Sequence, residues 1–197
     1  MTTIADSKTP LRLGADVVQQ LLPHRRPFLL VDTVDAIQLG ARPTLWARKL
    51  VSANEPIFEG HFPGLSLWPG AYTIEGLGQT SNLLLILLAV IEAFQRHERT
   101  PTQALETLRS LDARHRMGTR PQTIEETHLA EALGTGRSRV GVAGAIDIKL
   151  VEPVFAGAVL EYRATQTHVL ANARRFEVEA HVEGRPVARG SVTNAMP

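Results

Sequence analysis

Two short segments of the chain hold residues of the types that move protons. The first is Gly60-His61-Phe62-Pro63-Gly64. Glycine at each end lets backbone approach a ligand closely, and Pro63 stiffens the loop between them. A histidine on such a loop is held in place, and imidazole titrates close enough to neutrality to serve as a base. The second segment is Pro69-Gly70-Ala71-Tyr72-Thr73-Ile74-Glu75. Pro69-Gly70 leads into an apolar stretch that reads as a helix, and the first N–H groups of a helix have no internal partner. Such an end can hold a developing oxyanion. Glu75 follows about one turn in. Its sequence neighbours are largely apolar, so the expectation is a carboxyl group kept protonated by desolvation. Each feature alone has a plain structural explanation. A histidine in a Gly/Pro loop is an ordinary turn residue, and a glutamate early in a helix favours the helix dipole. Together they supply a base, an acid and an oxyanion site.

These residues lie within longer stretches that carry a resemblance. LLPHRRPFLLVDTV, NEPIFEGHFPG and WPGAYTIEGLGQ, in this order and spacing, closely resemble the β-hydroxyacyl-acyl carrier protein dehydratases of the FabZ/FabA family. The likeness runs from Leu21 to Gln79 and resumes more weakly at VAGAIDIKLVEPV and PVFAGAVLEY. It implies a hotdog fold, an α+β architecture in which a curved antiparallel sheet wraps around one long central helix. It implies that His61 removes the α-proton of a thioester and that Glu75 helps the β-hydroxyl leave as water. Gly70 then bonds the thioester carbonyl through its N–H, and Gln79 positions rather than reacts. Phe62, Pro63 and Gly64 complete the substrate-binding loop. The implied product is a trans-2-enoyl thioester made from a (3R)-hydroxyacyl chain on an acyl carrier protein, in fatty acid or polyketide assembly. The resemblance further implies a dimer in which His and Glu of one site come from different protomers, with an acyl tunnel along the interface. No metal or redox cofactor is implied, since the phosphopantetheine arm belongs to the carrier. Glu rather than Asp at position 75 is the FabZ pattern more than the FabA one.

The elements that must position these residues can be read coarsely. Residues 1–10 are polar and read as frayed. Residues 15–22 make a short helix ended by Pro23. Residues 27–37 and 44–51 read as strands, followed by a loop dense in Asn, Pro and Gly over 52–70. Residues 71–97 contain no proline and read as one long helix. Its unbroken apolar run, residues 83–91, is too short to span a bilayer, so protein should wrap it. The last third reads as strands. There Phe176, Val178, Ala180 and Val182 alternate with polar residues, and 183–186 form a hairpin connection.

Residues 1–197 are expected to form a single hotdog domain, with residues 92–139 as an insertion or lid after the central helix. This insertion is longer than the family's connection. It offers one basic amphipathic helix, with Leu105, Leu108 and Leu111 on one face, and one acidic helix anchored by Ile124, Leu129 and Leu133. Its cluster Arg109, Arg114, His115, Arg116 and Arg120 could steer an acidic carrier, or could be a solvated face. No Tyr or Phe in RSRVGVAGAI marks a tunnel gate. Ala71, Gly76 and Gly78 are small where larger residues are usual. They suggest a wider tunnel, or close packing by another chain, and a specialised role such as polyketide or polyene assembly.

Composition bounds the rest. Net charge is +1, which argues for neither nucleic acid nor membrane partners. The chain has no cysteine, which excludes thiolate chemistry and disulfides. The start shows no secretory signal, and a cytoplasmic setting is expected. The competing readings are a hotdog acyl thioesterase and one subunit of a heterodimeric dehydratase contributing half a site.

Overall fold

The central element is α2 (Gly70–Arg96), a 27-residue helix whose sequence explains why it is enclosed. Residues 83–91 are apolar on all sides, so no single stripe of neighbours can cover them. Leu77, Leu83, Leu84, Leu87 and Val90 are fully buried. By length and composition the helix could cross a membrane, yet 78% of its most apolar window lies buried inside the fold. The computed structural model describes residues 7–117, 124–134 and 142–195. In it the cover is a seven-stranded sheet. The strands are β1 (Thr9–Leu13), β2 (Thr33–Gln38), β3 (Thr44–Leu50), β4 (Val142–Leu150), β5 (Val159–Leu170), β6 (Ala173–Val182) and β7 (Arg185–Ala195). They run in the order β1-β2-β3-β5-β6-β7-β4, with every pairing antiparallel. α2 packs on β3, β5, β6 and β7. A sheet folded round one helix in this way is the expected hotdog arrangement.

The alternating residues of β6 do what their spacing predicts: Phe176, Val178 and Ala180 are buried against α2's side of the sheet, with Leu160, Tyr162 and Ala164 of β5 beside them. The turn between β6 and β7 is Glu183-Gly184, both at positive φ, as a two-residue hairpin requires. Arg185 and Pro186 therefore belong to β7 and not to the connection.

Two expectations fail for clear reasons. Residues 27–32 are not strand. Leu29, Leu30 and Val31 are apolar because they are buried, while the Leu30 N–H goes to a side chain, Gln79 Oε1, at 2.9 Å. Strand pairing starts only at Thr33. In the other direction, Thr9 and Pro10 are not frayed. They open β1, which pairs with β2 through an irregular register. Residues 1–6 lie outside the described residues.

The helices α1 (Ala15–Leu21), α3 (Pro101–Met117) and α4 (Ile124–Leu133) complete the structure. Leu105, Leu108 and Leu111 of α3 are buried in the main core, as is Leu129 of α4. Asp112 Oδ1 accepts the Gly14 N–H at 3.0 Å, just before α1, and the Arg109 guanidinium donates to the Pro10 carbonyl of β1. Arg109 is thus used inside the fold. Arg120 and the side chains of Arg114, His115 and Arg116 lie outside the described residues, and so does the side chain of Ile124.

Gly76 has a local reason to be small. A Cβ there would overlap the Tyr162 hydroxyl, which is buried with no partner among the described residues. Burial, with the Asp32 carboxylate adding to it, pushes the Tyr162 phenol far above its usual range. The close neighbour at Gly76 is therefore a side chain of the same chain. At Gly78 the space is open.

Gly76→Ala is expected to cost about 1–3 kcal/mol in urea unfolding, because Tyr162 must move. Leu108→Ala is expected to cost about 2–5 kcal/mol, the range for a buried leucine, in a single cooperative transition. A loss below about 0.5 kcal/mol would mean that α3 does not share the core.

Candidate functional site

The loop that carries His61 is built in short steps. Lys49, almost fully buried, pairs with Asp32 at 3.3 Å and with Glu55 at 2.6 Å. That pairing fixes the start of the loop against β3. A 3-10 turn, Pro56–Glu59, follows, and the His61 N–H bonds back to the Ile57 carbonyl at 2.9 Å. Phe62 and Leu65 then exchange backbone hydrogen bonds around Gly64, whose φ of +80° only glycine adopts readily. Beyond the turn the chain is stitched to the β4–β5 connection. Leu67 bridges Phe155, and the Trp68 N–H reaches the Val154 carbonyl at 2.8 Å. Trp68 is buried between Phe58 and Tyr72.

This scaffold decides the state of His61. Its Nδ1 lies 3.1 Å from the Leu67 carbonyl oxygen. A carbonyl can only accept, so Nδ1 carries a hydrogen, and in the neutral ring Nε2 is the acceptor. The ring stacks on Phe62, which is half exposed, as Pro63 and Gly64 are exposed. His61 lines a cavity with Trp68, Gly70, Thr73, Leu150 and Val187. His61 and the start of α2 therefore line one cavity. Gly70 is the first residue of α2, so its N–H has no intrahelical partner. A side chain at Gly70 would run into Leu150 across the cavity.

Glu75 does not line this cavity. Its carboxyl group sits in a second cluster. Gln79, buried one turn on, donates from Nε2 to Glu75 Oε1 at 2.9 Å and to the Phe28 carbonyl at 2.8 Å, and accepts the Leu30 N–H through Oε1. The imidazole of His24 reaches the same carboxyl oxygen, with Nε2 3.6 Å from Oε1. The Glu75 side chain is 33% exposed. This corrects the expectation of a desolvated carboxyl group among largely apolar neighbours. Helical spacing brings Gln79 onto the carboxyl group, and the 22–30 loop folds a histidine against it. His24 is a neighbour of Glu75 that sequence reasoning misses. Its only signal is its place in the LLPHRRPFLLVDTV stretch that carries the family resemblance. Among the described residues no group of three His, Asp or Glu side chains is placed to hold a metal ion.

Comparison with known proteins assigns the chain to a family. Residues 22–125 match the family described as FabA-like domain. The chain is 38% identical over 113 residues to the 3-hydroxyacyl-[acyl-carrier-protein] dehydratase FabZ of a Nitratiruptor species, covering 57% of this chain and 72% of that protein. It is 47% identical over 76 residues to the protein of the same name from Polynucleobacter necessarius, covering 39% of this chain and 50% of that one. The chain thus spans about half the length of the first curated relatives it matches. In fold it is similar to the dehydratase heterocomplex ApeI:P from Xenorhabdus doucetiae, with a TM-score of 0.52 at 15% identity, covering 91% of this chain and 90% of that one. The matched segment holds both the His61 loop and the Glu75 turn, and on that ground the chain belongs to the FabA-like family.

Proposed function

We propose that this protein dehydrates a (3R)-hydroxyacyl thioester held on an acyl carrier protein, giving the trans-2-enoyl thioester and water. The observation that carries the reading is the His61 imidazole, held by Leu67 with Nε2 free, in one cavity with the amide-bearing start of α2. His61 Nε2 takes the α-proton. The thioester oxygen gathers charge and is met by the Gly70 N–H, which needs no reorganisation to receive it. Glu75 gives a proton to the departing hydroxyl, and Gln79 fixes the carboxyl group for that transfer. Phe62, Pro63 and Gly64 form the lip over which the carrier's arm enters. The acyl chains are those of fatty acid or polyketide assembly in the cytoplasm.

Because Glu75 does not line the His61 cavity, the complete site needs a second copy of the chain. β4 is the edge of the sheet, and Val142, Ile146 and Leu150 along it are exposed, as are Phe62, Leu65 and Phe155 nearby. An apolar edge of this kind is a template for pairing. Asp147 and Lys149 flank Ile148 on one face of β4. A two-fold axis through Ile148 would set Asp147 of each copy opposite Lys149 of the other, which favours pairing between identical chains.

Turnover is read by mass spectrometry as loss of water from 3-hydroxyacyl carrier thioesters of several lengths. His61→Ala and Glu75→Gln are each expected to lose about 10²–10⁴-fold in kcat with unchanged unfolding midpoints. Near-normal turnover in either variant would remove its assigned role, and free acid in place of the enoyl thioester would point to a thioesterase. Ile146→Lys is expected to give a monomer by sedimentation and to lose turnover with it. A fully active monomer would contradict the shared site.

A further inference from the structure

The acid side of the site contains one more titratable group than the proposed elimination uses. An imidazole beside a carboxyl group can both take and give a proton near neutrality. His24 stands in that position: Nε2 is 3.6 Å from Glu75 Oε1, within ion-pair range though longer than a direct hydrogen bond. Its Nδ1 is buried and meets no partner among the described residues, so the carboxyl group is the polar contact that the structure gives the ring. The ring is 28% exposed, so water reaches it. Gln79 donates to the same oxygen, Oε1, so the amide and the imidazole meet the carboxyl group at one atom. Of the other charged groups of this loop, Arg25 is turned to the Leu22 and His24 carbonyls, and Arg26 is exposed. Tyr72, one turn before Gly76 on α2, has its ring edge-on to Phe28.

Resting on the dehydratase reading, we propose that His24 is the proton store for Glu75. In each turnover the C2–H bond breaks and its proton goes to His61, while the C3–O bond breaks and the oxygen leaves as water with the proton of Glu75. The protein is left with an imidazolium at His61 and a carboxylate at Glu75. An imidazolium at His24 passes its Nε2 proton to Glu75 and takes another from water, and His61 releases one to water. Protons in and out balance, and His24 acts through Glu75 without touching substrate.

The test is the pH profile of kcat for His24→Gln. Gln can still offer an N–H to Glu75 but cannot carry a proton between water and the carboxyl group. On the acid side of the profile the variant is expected to match the unaltered protein with unchanged KM. On the alkaline side its kcat should fall about one pH unit earlier, a deficit of roughly tenfold for a single proton. Added imidazole should restore part of the alkaline activity of His24→Ala. An alkaline limb that coincides with that of the unaltered protein, or an equal loss at every pH, would overturn the proposal. His24→Asn serves in the same way should the Gln variant not fold. If the unaltered chain turns over no 3-hydroxyacyl carrier thioester, the dehydratase reading fails and takes this proposal with it. If it turns over, His61→Ala does not, and His24→Gln is unchanged, only the proposal fails.

Discussion

The side-chain amide of Gln79 makes three contacts in one buried place. It accepts from the Leu30 N–H, and it donates to the Phe28 carbonyl and to the Glu75 carboxyl group one turn back along its own helix. A buried amide left without partners would be costly, so the three contacts enforce one another. The 28–30 segment is held onto α2, and His24 is brought beside Glu75. Removing the amide would leave a backbone donor and a backbone acceptor unpaired and would free the carboxyl group to turn away.

The two halves of the proposed chemistry are held by different means. His61 rides on a loop tied down by Lys49, Trp68 and the Leu67 carbonyl, and it shares a cavity with the first residue of α2. Glu75 rides on α2 itself and faces the 22–30 loop. A rigid helix can aim its start and its second turn in different directions at once, and that separates base and acid within one chain. In the proposed dimer, the exposed apolar edge at β4 brings Glu75 of one chain to His61 of the other.

Much of this is legible in the sequence because the signals are local. The α2 boundaries follow from Pro69-Gly70 and an uninterrupted apolar run, and the alternation in β6 follows from burial of one face. The His61 loop is marked by its glycines and proline. The failures are all non-local. Residues 27–32 look like strand because burial selects the same apolar residues that pairing does, and only the contact from Leu30 to Gln79 tells them apart. β1 contains a proline and carries an irregular register, so its first residues show no pattern of their own. Gly76 reads as open space until Tyr162, far along the chain, is seen to fill it. The surroundings of Glu75 cannot be read from its neighbours in sequence, because His24 reaches it from a different loop.

The central claim is that base and acid of one site come from two copies of the chain, and subunit mixing tests it most directly. His61→Ala and Glu75→Gln proteins are each purified, unfolded together in equal amounts and refolded. A shared site predicts that the inactive pair regains about one quarter of normal activity, since half of the dimers are mixed and each mixed dimer holds one intact site. A mixture as inactive as its components, with mixed dimers demonstrably formed, would contradict the account.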